Sequence, residues 1–272
     1  MARRFILLID FSEHSVSLAK YAFDWSKKAN AELLLVHQTL VYTPALTDNE
    51  TRQEISRNAN NEGLQKLKAF VNTHMPKAMK VSYSVSERPL QFTLSGLLAE
   101  DYEDLTFVGL KGTGFLKKIF LGSVALEVID NVKNIIIAMP REIETFSQKK
   151  IFVAVTEKYP LNIPELNNFL NFIDRKSTSI TFFYLAKPYE KTKGIEKQLK
   201  DLSNLFSDRF YTQTAVYEGN HPFEDIKKVI SNKVDEMLIV QKGSRLLTDQ
   251  LFRRFLINEL VYEGQTPLIV LP

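Results

Sequence analysis

Residues 240–272 overlay residues 108–140 without a gap, pairing TPLIVLP at the end of the chain with NIIIAMP at residues 134–140. The copy extends upstream as a pattern rather than as identity. In the first half, residues 5–9, 32–38, 81–85, 105–108 and 134–139 read as strands, and 15–29, 51–74 and 90–100 as helices. In the second, strands are expected over 151–155, 180–185, 212–217, 237–240 and 267–271, and helices over 164–173, 196–206 and 222–230. A repeat of about 140 residues means two domains rather than a solenoid. The expected units are 1–142 and 148–272, joined by the polar segment REIETFSQK after Pro140. Short continuous apolar runs such as FILLI at 5–9 suit strands covered on both faces, and their alternation with helices implies right-handed crossovers. The fold class is therefore α/β, with mostly parallel, doubly wound sheets.

The chemistry-bearing stretch is 105–140. An apolar strand runs into Gly109; Gly112 follows after two intervening residues, and nine further residues precede Gly122-Ser123. Val124, Val128 and Val132, beside Ala125 and Ile129, then fall at helical spacing, with Glu127, Asp130 and Lys133 left for solvent and Ser123 at or beside the N-cap. Glycines lacking Cβ let backbone N–H groups approach an anion, and a helix start adds unpaired donors and a partial positive charge. Strand, glycine loop and helix start together point to a phosphate-bearing ligand. Taken singly, the glycines are turn residues and Ser123 a helix cap. Asp10 ends the first strand, where ligands gather in open α/β sheets, and is equally suited to capping the turn that follows. In the second copy the overlay replaces Gly109 by Gln241, Gly112 by Ser244, Gly122 by Arg254 and Ser123 by Phe255, and Thr156 stands where Asp10 does. Side chains there fill the space a phosphate needs, so the second half is expected to keep the fold without the site.

Other function classes receive little support. The 35 basic and 32 acidic side chains leave a net charge of +3, with a pI near 8.8. Only Lys111, Lys117 and Lys118 cluster, around the glycine loop, so no nucleic acid partner is expected. With no cysteine, disulfides and thiolate chemistry are ruled out. Asp10 interrupts the apolar run behind Arg3 and Arg4, and no run approaches the ~20 apolar residues that span a bilayer. A cytoplasmic protein with no membrane partner is expected. His14, His74 and His221 lack metal-ligand spacing, and His37 reads as a hydrogen-bonded strand residue. No G-x-x-x-x-G-K-[ST] loop, G-x-S-x-G elbow or kinase signature is present, so no catalytic residue is nominated.

The spacing Gly109-x2-Gly112-x9-Gly122-Ser123 resembles the nucleotide-binding signature of the universal stress protein family, G-x2-G-x9-G-[ST]. The segments IDFSEHS at 9–15 and GNHPFEDI at 219–226 are similar to the family as well, and the resemblance spans nearly the whole chain as a tandem member. It implies two Rossmann-like domains of the adenine nucleotide alpha hydrolase type, each a five-stranded, mainly parallel sheet with helices on both faces. It also implies ATP or another adenine nucleotide, with or without Mg2+, bound in the first half. Asp10 would lie near the nucleotide, and Gly109 and Gly112 beside ribose and phosphates. Gly122, Ser123 and Val124 would form the phosphate-binding helix start. Gln38 falls at the position whose backbone partners adenine, where the family usually has valine. The final strands of the halves would pair as an internal pseudo-dimer, with a homodimer of whole chains left open. The implied role is a regulatory or stress-response nucleotide binder; the alternatives are a nucleotide-independent interaction scaffold of the same fold and a weak ATPase.

Overall fold

The computed structural model describes residues 1–76, 80–109, 123–140, 143, 145–157, 159–218, 230, 235–244 and 265–272. The first half contains β1 (Ala2–Leu8), α1 (Glu13–Ala29), β2 (Ala31–Gln38), α2 (Asn49–His74), β3 (Val81–Ser86), α3 (Leu90–Leu97), β4 (Tyr102–Gly109), α4 (Ser123–Asn131) and β5 (Ile135–Met139). The second contains β6 (Lys150–Ala154), α5 (Ile163–Leu170), β7 (Ser179–Ala186), α6 (Lys193–Phe206), β8 (Tyr211–Glu218), β9 (Glu236–Gln241) and β10 (Leu268–Leu271). The helix expected over 222–230 lies, but for its last residue, outside the described residues. The chain is α/β, with ten strands ordered β3-β2-β1-β4-β5-β10-β9-β6-β7-β8 in one sheet. Each half contributes five mutually parallel strands, and the halves meet where β5 pairs antiparallel with β10.

Both faces of the sheet are covered, which is why the inner strands read as unbroken apolar runs. Phe5, Leu7, Leu33, Leu35, Phe107 and Ile137 face α1, α2, α5 and α6 in one core. Ile6, Leu8, Leu34, Val36, Val108 and Ile136 face α3 and α4 in the other. At the amino ends of the strands, the Arg4 guanidinium forks onto Asp104 at 2.8 and 3.0 Å and reaches the Leu97 carbonyl at 2.8 Å, lying over the Tyr102 ring. Lys150 and Glu236 occupy the matching positions in the second half, 3.9 Å apart. Charged side chains thus pair across the amino ends of the strands in both halves.

One aromatic group ties the first core to the second half. The Trp25 indole N–H donates to the Phe172 carbonyl at 2.9 Å, and the ring stacks on Phe146, centroids 4.5 Å apart and 9° from parallel. Tyr21 packs edge-on against both Trp25 and Phe146. It is fully buried, and its hydroxyl has no hydrogen-bond partner among the described residues. Burial pushes this phenol well above its ordinary pKa, so it stays neutral in the folded chain. An acid whose folded pKa is raised stabilises the fold below its unfolded pKa, and that contribution is lost as pH rises past about 10. Tyr21→Phe should therefore match or exceed the wild type in stability at neutral pH, by up to ~1–2 kcal/mol. It should also lose less stability on going to about pH 11. Urea denaturation followed through Trp25 fluorescence at both pH values checks this.

Candidate functional site

The first half winds from β1 outward to β2 and β3, then crosses back to place β4 on the other side of β1. The strand order reverses between β1 and β4, and in open α/β sheets the crevice at the carboxyl ends of such a pair is where ligands bind. Leu8 pairs with Val36 and Leu7 with Phe107. Continuing that register by two residues sets Asp10 beside Gln38, and Ile9 beside Gly109. Three of the residues nominated from sequence thus meet at one edge. Ser123 and Val124 open α4, and β4 and β5 are neighbours in register. Gly112 and Gly122 lie outside the described residues.

Asp10 is exposed, and its Oδ1 accepts three hydrogen bonds: from the Ser12 N–H at 2.9 Å, the Ser12 hydroxyl at 2.5 Å and the Ser15 hydroxyl at 2.7 Å. The Ser15 oxygen in turn accepts from the Asp10 N–H at 3.1 Å. The carboxylate therefore builds the turn into α1, a role that sequence left open beside ligand contact. Between these partners Phe11 adopts φ 62°, the left-handed region that bulky side chains enter at an energetic cost. Its ring lies 4.5 Å from that of His37, whose Nδ1–H donates to the Ile9 carbonyl at 2.8 Å. His37 is thus a structural strand histidine. Ser15 was not nominated from sequence; its place five residues after Asp10, at the start of a helix, was the available signal.

Gly109 closes β4. Among the described glycines only Gly243 has positive φ, so Gly109 is not required by backbone conformation. A Cβ there would meet His14 Cβ and Leu18 Cδ1 at 3.7 Å, ordinary contact distance. Among the described residues, neither strain nor crowding explains the missing side chain. In the second half Gln241 occupies that position and is fully engaged. Its Nε2 donates to the Pro272 carbonyl at 2.7 Å, and its Oε1 accepts from the Asn162 N–H at 3.0 Å. Asn162 caps α5 by accepting from the Glu165 N–H, and also donates to the Pro272 carbonyl at 3.2 Å. A side-chain amide thus spans the second crevice where the first has bare backbone. Arg254 and Phe255 lie outside the described residues.

The end of β2 is set by a close approach of α2. The Thr39 hydroxyl donates to Asn60 Oδ1 at 2.6 Å, and a Cβ on Gly63 would stand 2.9 Å from Thr39 Cγ2, 3.0 Å from Val85 Cγ1 and 3.3 Å from His37 Cδ2. Glycine is required here so that the helix can lie against the strand that carries Gln38. A glycine inside a helical pattern was the sequence signal for it.

The sequence profile of the universal stress protein family matches residues 1–134. No curated protein matches the chain. A universal stress protein from Archaeoglobus fulgidus is similar in structure, with a TM-score of 0.65 at 17% identity, over 98% of this chain and 97% of that one. A functionally unknown protein from Pseudomonas aeruginosa matches with a TM-score of 0.53 at 11% identity, over 99% of this chain and 92% of that one. The cytoplasmic domain of a prokaryotic cation chloride cotransporter matches with a TM-score of 0.53 at 12% identity, over 99% and 95%. Among the described residues no helix is long and apolar enough to cross a membrane.

Gly63→Ala tests the close approach. Alanine gains up to ~1 kcal/mol in helix propensity over glycine. The new Cβ must displace Thr39 and Val85, both β-branched and stiff, and overpacking of this kind destabilises by ~1–3 kcal/mol. The clash should win, lowering the urea midpoint with the m-value unchanged; a raised midpoint would show that α2 yields.

Proposed function

Because its amino-terminal 134 residues belong to the universal stress protein family, we propose that this chain is a nucleotide-binding regulatory protein of the cytoplasmic stress response. ATP or another adenine nucleotide, with or without Mg2+, occupies the crevice between β1 and β4. The reading rests on one observation above all: Gly109 lacks a side chain where neither φ nor the packing of the described residues demands it, while the duplicated position carries a side chain that bridges to Asn162 and Pro272. A position kept bare without a structural reason is one kept clear for a ligand. Asp10 and the backbone of Gln38 would hold the base and ribose end. Gly109, Gly112 and Gly122 would let main-chain amides reach the phosphates, and Ser123 and Val124 at the start of α4 would add further donors. The second half serves as structural partner, and whole-chain association is open to it as well.

Binding to the native state alone raises stability by mass action, by ~2.7 kcal/mol at a free nucleotide concentration one hundred times Kd. For a chain of this size that is a rise of about 5 to 10 °C in Tm. Gly109→Gln places the residue of the closed copy into the open one, and the ordinary Cβ contacts at this position mean the fold should tolerate it. The expected result is a nucleotide-dependent Tm rise in the wild type, its loss in Gly109→Gln, and similar Tm values without nucleotide. No rise with ATP, ADP or AMP in the presence of magnesium overturns the proposal and leaves an interaction scaffold of the same fold. ATP turnover above background in the wild type, lost in the variant, would instead identify a weak ATPase.

A further inference from the structure

The two halves differ most in the helix after their second strand. In the first half α2 has 26 residues; in the second α6 has 14. The additional length lies at the carboxyl edge of the sheet. Asn60 is level with the end of β2, since it accepts from the Thr39 hydroxyl, and the first buried residue of α2 is Gly63. Residues 49–59 therefore rise past the strand end by ~16 Å at the helical rise of 1.5 Å per residue. α6 has no such overhang: Ile195 is buried within its first turn. The overhang has a defined start, where the Asp48 side chain accepts from the Thr51 N–H at 2.9 Å and the Thr51 hydroxyl at 2.8 Å.

The loop from β2 into this overhang carries three large apolar side chains in water: Leu40 at 73%, Tyr42 at 86% and Leu46 at 100% exposure. It is tethered at both ends, by Thr39 to α2 and by the Asp48 cap, and is turned in the middle by the Thr47 N–H donating to the Pro44 carbonyl at 3.1 Å. It leaves the sheet one residue after Gln38, beside Asp10 at the crevice. Among the described residues, a helical overhang of this kind stands only over the first half.

Resting on the nucleotide reading above, we infer that residues 39–59 form the base-side wall of the site. In this arrangement Leu40, Tyr42 and Leu46 fold against the adenine ring while the glycine loop holds the phosphates. A flat purine supplies the apolar and π surface that these side chains lack in the free protein, and removing them from water favours closure. The arm rather than a deep pocket then accounts for selectivity toward a base.

The test uses full-length wild type and the double variant Tyr42→Ser/Leu46→Ser. Both side chains are already in water, so the Tm without ligand should be unchanged. Calorimetric titration with ATP should show affinity weakened about tenfold or more in the variant. Hydrogen exchange in the wild type should show amides of residues 40–48 protected when ATP is added. Wild-type binding with equal affinity in the variant, or with ATP-dependent protection absent from residues 40–48, overturns the arm while leaving the nucleotide reading intact. Absence of binding of ATP, ADP and AMP alike to the wild type removes the reading itself, and the arm with it.

Discussion

Three pairs of antiparallel backbone, Leu268 with Ala138, Ile269 with Ile137 and Val270 with Ile136, turn two five-stranded sheets into one. Without them β5 and β10 would each be an edge strand of nothing but apolar residues, all buried in the assembled chain. An exposed edge of that kind templates aggregation. Pairing it within the chain removes the hazard and makes the pairing local to one molecule. The antiparallel sense carries a second consequence. Carboxyl ends of the strands in one half point opposite to those in the other, so the two crevices open on opposite edges and can diverge independently. Trp25 reinforces the seam from one face, since its N–H bond to Phe172 and its stack on Phe146 bind the first core to the joint and to the second half.

Most of the strands were legible because burial on both faces leaves no room for polar residues. Residues 5–9, 32–38 and 105–108 read as strands since short runs with an apolar centre, bounded by turn residues, suit a sheet covered on both faces. Helix ends were less legible. α3 stops at Leu97, ahead of the expected residue 100, and α5 at Leu170, ahead of 173, because turns with their own backbone hydrogen bonds bury Ile173 as well as a helix would. At the site, glycine spacing nominated Gly109, a strand end Asp10 and the family resemblance Gln38, and the parallel register of β1, β2 and β4 brings their strand ends to one edge. The left-handed turn at Phe11 was hidden, and the Ser15 bridge and the closeness of α2 at Gly63 left only faint signals, since each depends on where a neighbour sits rather than on its own periodicity. The length of α2 was legible almost to its ends, a helix being expected over 51–74 and found at Asn49–His74. Polarity marks solvent exposure but cannot say whether the first turns of such a helix lie against the sheet or stand clear of it.

The closed crevice of the second half has a structural consequence for the open one. Gln241, where the first half has Gly109, fastens the Pro272 carbonyl; Asn162 holds the same carbonyl from the start of α5; and the Lys242 N–H donates to the Leu271 carbonyl at 2.8 Å. All three act on the last residues of β10, a strand of only four residues. β10 in turn is the only sheet partner that β5 has on that side, and β5 follows directly on α4, whose first residues are the nominated phosphate donors. The side-chain amide of Gln241 thus acts as a clamp on the seam, and through β10 and β5 that clamp reaches the element that follows α4 in the first half.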